Sequence, residues 1–198
     1  MIIGLTGGIA SGKSFIAELL QRNGLPIIDA DQIAKKIVEP GEKAHALIKE
    51  RFGNGVFHDD DTLHRKKLGV IIFNDEKERQ ALNDIMHPLI QEESTRQQRH
   101  YEEKGHRTIV YDIPLLVENN RMDSVDQVLL VFVDEKTQLE RLMERDNSSE
   151  EEAKSRMASQ IPLDEKKKYA DEIVDNSGSR LDSEKQVEKI LKKWNVRS

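Results

Sequence analysis

The sequence predicts an α/β fold in three layers: a five-stranded parallel sheet with helices on both faces, a helical insertion and a helical lid. Three observations carry that expectation. Short continuous runs of Ile, Val and Leu alternate with segments of helical spacing, the pattern of strands buried on both faces. A glycine-rich turn joins the first strand to the first helix. About sixty residues in the middle of the chain carry helical patterns and no convincing strand.

In order, residues 2–6 read as a short buried strand entering the glycine turn. Residues 13–22 show helical spacing through Phe15, Ile16, Leu19 and Leu20, and Asn23-Gly24 supplies the stop. Residues 26–29 (PIID) form a second strand, expected beside the first, and a helix follows near 32–38. Pro40-Gly41 punctuates the chain. Helical patterns then cover 44–52, 63–73 and 77–101, with a polar turn at 58–61. Strands at 108–112 and 127–133 follow, then helices at 136–145 and 149–160, a strand at 172–174 and a last helix at 183–194. Ser148 or Ser149 would cap the second of these helices, with Glu150–Glu152 in its first turn. The organisation implied is a core of residues 1–40 and 106–198, with a lid at about 138–165 inside it, and a helical insertion at 41–105.

A chain of 198 residues is long enough for a self-sufficient core. It carries 31 basic and 37 acidic side chains, a net charge of −6, which argues against a broad nucleic-acid surface but not against a local anion site. The absence of cysteine excludes disulfides and thiolate metal sites and fits a cytoplasmic setting. No apolar run approaches the roughly 20 residues that span a bilayer, and MIIGLTGG lacks the parts of a signal peptide.

Gly7, Gly12, Lys13 and Ser14 fit the spacing G-x-x-x-x-G-K-[ST]. Backbone N–H groups of such a loop turn inward on phosphate oxygens, and the helix N-terminus adds about half a positive charge. Lys13 would reach the β- and γ-phosphates and Ser14 would place its hydroxyl on Mg²⁺. No N-K-x-D segment for guanine is present, and small-molecule kinases of this length fit the pattern best.

The strand-end sequence Asp29-Ala30-Asp31 would direct both carboxylates to one side if extended. Asp31 then serves either as the acceptor of a hydroxyl proton or as the cap of the next helix. Asp112 ends its strand where an acidic group holds the metal or opens the turn into Pro114. Arg141 and Arg145 lie four apart on one helical face, and Arg156 precedes Gln160 by the same interval. These arginines either neutralise a transferring phosphoryl group or pair with neighbouring glutamates.

Taken together, LTGGIASGKS (5–14), IIDADQIAKKIVEPG (27–41), His87-Pro88, DIPLLVE (112–118), RLMERD (141–146) and EEAKSRMASQ followed by ADEIVDNSG (151–178) resemble the dephospho-coenzyme A kinase family over nearly the whole chain. The resemblance implies transfer of the ATP γ-phosphate to the ribose 3′-hydroxyl of dephospho-CoA, with Mg²⁺; the expected setting is cytoplasmic and the expected state a monomer or weak homo-oligomer. It implies a P-loop kinase with a nucleotide core, a coenzyme A-binding insertion and a mobile lid. By position, Thr6, Gly8, Ile9, Ala10, Ser11, Gly12, Lys13, Ser14 and Phe15 would line the nucleotide phosphates, and Asn176 would lie near the adenine. Asp31 would be the proton acceptor, and Arg141 and Arg145 would serve the phosphates. Pro114, Leu115, Leu116, Glu118 and His87 would lie on the acceptor side, His87 alternatively being a core or helix-start residue. The His58 and His64 pair reads as a solvated loop. Two positions depart from the family pattern: Phe15 replaces a small hydroxyl residue, and Val117 stands where Phe is common. Another small-molecule kinase, or a regulatory ATP-binding module without turnover, are the competing readings, separated by the acceptor requirement.

Overall fold

In the computed structural model, residues 1–196 are described. The elements in chain order are β1 (Ile2–Gly7), α1 (Lys13–Arg22), β2 (Ile27–Asp29), α2 (Ala30–Lys36), α3 (Lys43–Phe52), α4 (Arg65–Asn74) and α5 (Glu76–Glu103). They continue with β3 (Ile109–Asp112), β4 (Gln127–Phe132), α6 (Glu135–Asp146), α7 (Glu150–Ala158), α8 (Leu163–Lys166), β5 (Glu172–Asp175) and α9 (Arg180–Lys193). Two compact units result: Met1–Ile28 with Tyr101–Ser198, and Asp29–His100. The division falls before α2, so this helix groups with the insertion helices.

The first unit is built on a sheet of order β2-β3-β1-β4-β5. Strand β1 is central, parallel to β3 (Leu5 opposite Asp112) and to β4 (Gly7 opposite Val131). The expected neighbour of β1 was β2; β3 takes that place instead, and β2 is pushed to the edge. The consequence is functional, because Asp112 now ends beside the strand that feeds the phosphate loop. Ile3, Leu5, Val110, Leu129 and Val174 are buried with Ile16, Leu20, Val187 and Ile190 of the covering helices, which is why these strands read as unbroken apolar runs.

Helix ends follow local chemistry. Ser149 caps α7 in a reciprocal capping box with Glu152, as the sequence indicated. Helix α9 starts three residues earlier than expected because Ser179 and Asp182 form a second capping box. Asp134 caps α6; the Thr137 hydroxyl, together with the Thr137 N–H, donates to its carboxylate and holds it below the usual range.

In the second unit, an antiparallel bridge between Phe57 and Leu63 closes the polar turn, with Asp61 at φ +65°. Buried His45 bonds the Asp61 carbonyl at 2.7 Å and meets the Phe57 ring edge-on. His58 and His64 stack at 4.2 Å, and His64 Nδ1 accepts from the Lys67 N–H to start α4. Val38, Ile48, Leu68, Ile72 and Met86 line a cavity of about 180 Å³. Pro88 lies inside α5 without ending it, so His87 is an exposed mid-helix residue, neither core nor helix start.

Candidate active site

Between β1 and α1 the backbone makes two left-handed steps, at Ala10 (φ 59°) and Gly12 (φ 83°). A β-carbon on Gly12 would lie 2.2 Å from Asn176 Nδ2, so only glycine fits both the dihedral and the space. Helix α1 begins with no side-chain cap and no acidic residue in its first turn, whereas α6, α7 and α9 each carry an Asp or Ser cap. An uncapped helix start following a glycine loop is an anion site in waiting.

The charges around it are unevenly committed. Lys13 pairs with Asp112, both largely buried. Arg141 Nη1 comes within 3.9 Å of the space beside Gly12, and its guanidinium has no hydrogen bond or ion pair among the described residues. Arg145 does not share that position. It forms a bidentate pair with Asp146 at 2.9 and 3.1 Å, and Arg156 bonds the same carboxylate. The Arg145 guanidinium, with Arg156 behind it, holds the Asp146 carboxyl below its ordinary range, and Asp146 raises Arg145 in return. The expected glutamate partners were the wrong acid: the next residue in sequence competes better.

The loop is held by its carbonyls. Gly7 O accepts from Lys166 Nζ at 3.0 Å, Ile9 O from Gln138 Nε2 at 2.8 Å and Ser11 O from Asn176 Nδ2 at 2.9 Å. The Ile9 N–H donates to Gln160 Oε1 at 2.8 Å. Asn176 is itself fixed by the Ser183 hydroxyl, which donates to its Oδ1 at 2.8 Å. Asn176, expected near the adenine, has a buried side chain whose amide donates to the loop. Gly8 is pressed between Gln138 and Leu163, with 2.7 Å left for a β-carbon.

The other expected residues have these surroundings. Thr6 is buried and donates its hydroxyl to the Pro114 carbonyl at 3.1 Å, which braces the sheet end. Leu116 is fully buried against the space beside Gly4, a packing residue of the core, while Leu115 is exposed and Pro114 half-buried. Glu118 accepts from buried Lys166 at 2.6 Å and from the Ile161 N–H at 3.3 Å. Ser14 is exposed on the first turn of α1. Phe15 packs against the main core, and the Arg180 guanidinium lies 5.2 Å from its ring centroid.

In the second unit the acidic pair is arranged differently from an extended strand. Helix α2 starts at Ala30, so Asp29 and Asp31 do not share a strand face. Asp29 is the cap, accepting from the Gln32 N–H at 2.9 Å and from Gln32 Nε2 at 3.0 Å. Asp31 stands exposed in the first turn and makes no hydrogen bond or ion pair among the described residues. The capping alternative for Asp31 is thereby removed.

Sequence reasoning missed Lys166, Gln138 and Ser183 altogether. Gln160 gave a signal, its four-residue interval from Arg156, without revealing that it serves a backbone amide.

The dephospho-CoA kinase family model matches residues 1–182. A dephospho-CoA kinase of Halalkalibacterium halodurans is 50% identical over 196 residues, covering 99% of this chain and 98% of its own. One from Shouchella clausii is 51% identical over 193 residues, with 98% of each chain covered. The solved dephospho-CoA kinase of Campylobacter jejuni superposes with a TM-score of 0.72 at 29% identity, covering 98% of this chain and 96% of that one. Matched along nearly its whole length, and with an open anion-binding loop at the end of a central parallel strand, the chain belongs to the dephospho-CoA kinase family.

Proposed function

We propose that this chain transfers the γ-phosphoryl group of ATP to the ribose 3′-hydroxyl of dephospho-CoA through the loop of residues 7–14, Lys13, Arg141 and Asp31. The observation that carries this reading is the uncapped start of α1 with two cations beside it, one of them unpaired. The loop amides hold the phosphates. Lys13 leaves Asp112 for the β- and γ-oxygens, and Arg141 adds charge stabilisation as the bond from Pγ to the ADP oxygen breaks. The acceptor oxygen forms the new bond to phosphorus, its proton passes to Asp31, and ADP departs with the bonding electrons. Asp31 suits that role because helix capping makes no claim on it.

Mg²⁺ fits the residues present. Ser14 and Asp112 offer oxygen donors only, and no cluster of three His, Cys, Asp or Glu that could hold a metal occurs among the described residues. That matches an ion which takes most of its ligands from phosphate and water. When bound, it neutralises charge on the phosphate oxygens.

On this reading Pro114, Leu115 and Glu118 serve the acceptor, and Asp29–His100, which carries His87, is the coenzyme A-binding part. No helix among the described residues is long and apolar enough to cross a membrane. We place the enzyme in the cytoplasm as a monomer or weak homo-oligomer without a nucleic-acid partner. The test is ATP consumption by purified protein with dephospho-CoA, AMP, CMP or no acceptor. Turnover with dephospho-CoA alone is expected; acceptor-independent ADP release, or a preference for AMP, overturns the assignment.

A further inference from the structure

Lys166 is the first of three consecutive lysines, and they meet three different fates. Lys168 is exposed, Lys167 lies over the Phe132 ring at 3.6 Å, and Lys166 has no exposed surface at all. A buried ion pair costs several kcal/mol per ion in desolvation, and an apolar pair of similar volume is often as stable or more so. The fold nevertheless keeps Lys166 and Glu118 together at 2.6 Å beneath the phosphate loop. Glu118 Oε2 is buried with no partner, so the carboxylate is held on one side only.

What Lys166 touches explains why it is kept. Its ammonium bridges the carbonyl of Gly7, where β1 becomes the phosphate loop, and the carboxylate of Glu118 on the segment that follows β3. Glu118 in turn receives the Ile161 N–H from the connection between α7 and α8. Segments from β1 and β3 thus meet on one ammonium group, and the connection between α7 and α8 joins them through Glu118. None of this reaches a reacting atom directly.

We infer that Lys166 is a positioning residue for phosphoryl transfer: it fixes the spacing between the phosphate loop and the segment of residues 114–118. The inference rests on the proposed assignment of that segment to the acceptor side. In-line transfer tolerates little error, since a misplacement of about 1 Å can cost on the order of 10²-fold. Loosening the Lys166 bridge leaves the loop amides, Lys13 and Arg141 in place for ATP. It lets the donor and acceptor supports drift, so kcat falls while KM for ATP holds.

The test compares steady-state kinetics and thermal melting of wild type, Lys166→Arg and the double variant Lys166→Met/Glu118→Gln. The double variant removes both charges together and so leaves none buried alone. Expected are a melting temperature close to wild type, kcat lowered about tenfold or more, and KM for ATP within about threefold. Lys166→Arg keeps charge and reach and is expected to restore most of kcat. Should the double variant not fold, Glu118→Gln alone retains one oxygen for both donors and is expected to show the same split between kcat and KM. A folded variant with wild-type kcat, or a loss confined to KM for ATP, overturns the inference. Failure of the acceptor assignment shows separately, as wild type that prefers another acceptor.

Discussion

Replacing Asn176 by Ala distinguishes a group that supports the loop from one that reads the base. The side chain donates to Ser11 O at 2.9 Å and accepts from Ser183 Oγ at 2.8 Å, all buried. Alanine strands both partners. Each unsatisfied buried group costs roughly 1–2 kcal/mol, so the pair amounts to about 3 kcal/mol. For a chain of this size 1 kcal/mol moves the melting temperature by roughly 2–4 °C, which places the expected fall at about 6–12 °C. Ser183→Ala removes only the second contact and should cost about 1 kcal/mol.

Activity should follow the loop. With the Ser11 carbonyl released, the left-handed steps at Ala10 and Gly12 lose a brace, and KM for ATP is expected to rise roughly threefold to tenfold, the equivalent of about 1 kcal/mol of lost preorganisation. The ratio of kcat/KM for ATP to that for GTP should stay unchanged. Calorimetry and initial rates with both nucleotides decide the matter. A melting temperature equal to wild type, with the ATP preference lost, would refute this account and restore Asn176 to the adenine.

Asp31→Asn should lower kcat by about 10²-fold or more with the melting temperature unchanged, because Asp29 is the cap; a loss of fold would return Asp31 to a structural role. Arg141→Ala should lower kcat/KM by about 10²-fold or more, while Arg145→Ala, whose guanidinium is committed to Asp146, should cost less; equal losses would show that Arg145 leaves its partner during turnover. Phe15→Thr should lower KM for ATP by adding a hydroxyl to the loop and lower stability by about 1–2 kcal/mol as the ring leaves the core, an unchanged or higher KM meaning that Phe15 only packs. Arg96, aided by Gln97 and Lys36, depresses the Glu93 carboxyl from 4.5 to about 2, so its stabilisation is present above pH 4.5 and lost as the pH falls towards 2. Glu93→Gln should flatten that acid limb by about 1 kcal/mol in urea unfolding at pH 3 against pH 7, and an unchanged limb would show that the pair is fully screened.

What could be read in advance was local. Strand runs, the glycine spacing of the phosphate loop and the Ser149 cap depend on residues within a few positions of one another, and the structure has them where the pattern placed them. Strand order was not local: nothing in PIID says that β3 will come between β2 and β1. The Asp29-Ala30-Asp31 reading failed for a related reason, since helix begins one residue after the strand and Asp29 finds its cap partner at Gln32. Lys166 was the least legible, because KKK in sequence looks like a solvated run and its partners lie 159 and 48 positions away.

That distance has a physical reason. Some loop amides are already bonded, that of Ile9 to Gln160 and that of Ser11 to the Gly8 carbonyl, but the loop cannot satisfy its backbone in the way a helix or strand satisfies its own. The groups left to fix are the carbonyls, and here Gly7, Ile9 and Ser11, alternate residues, each take a donor from a distant side chain. Fixing one residue's backbone costs about 1–2 kcal/mol, and glycine costs the most. Three hydrogen bonds of about 1 kcal/mol each offset part of that for a segment with Gly7, Gly8 and Gly12. The donors must come from afar because the loop's immediate neighbours are committed to β1 and α1. The motif therefore identifies the loop, while the side chains that fix its carbonyls are Lys166, Gln138 and Asn176, which no spacing rule within the loop contains.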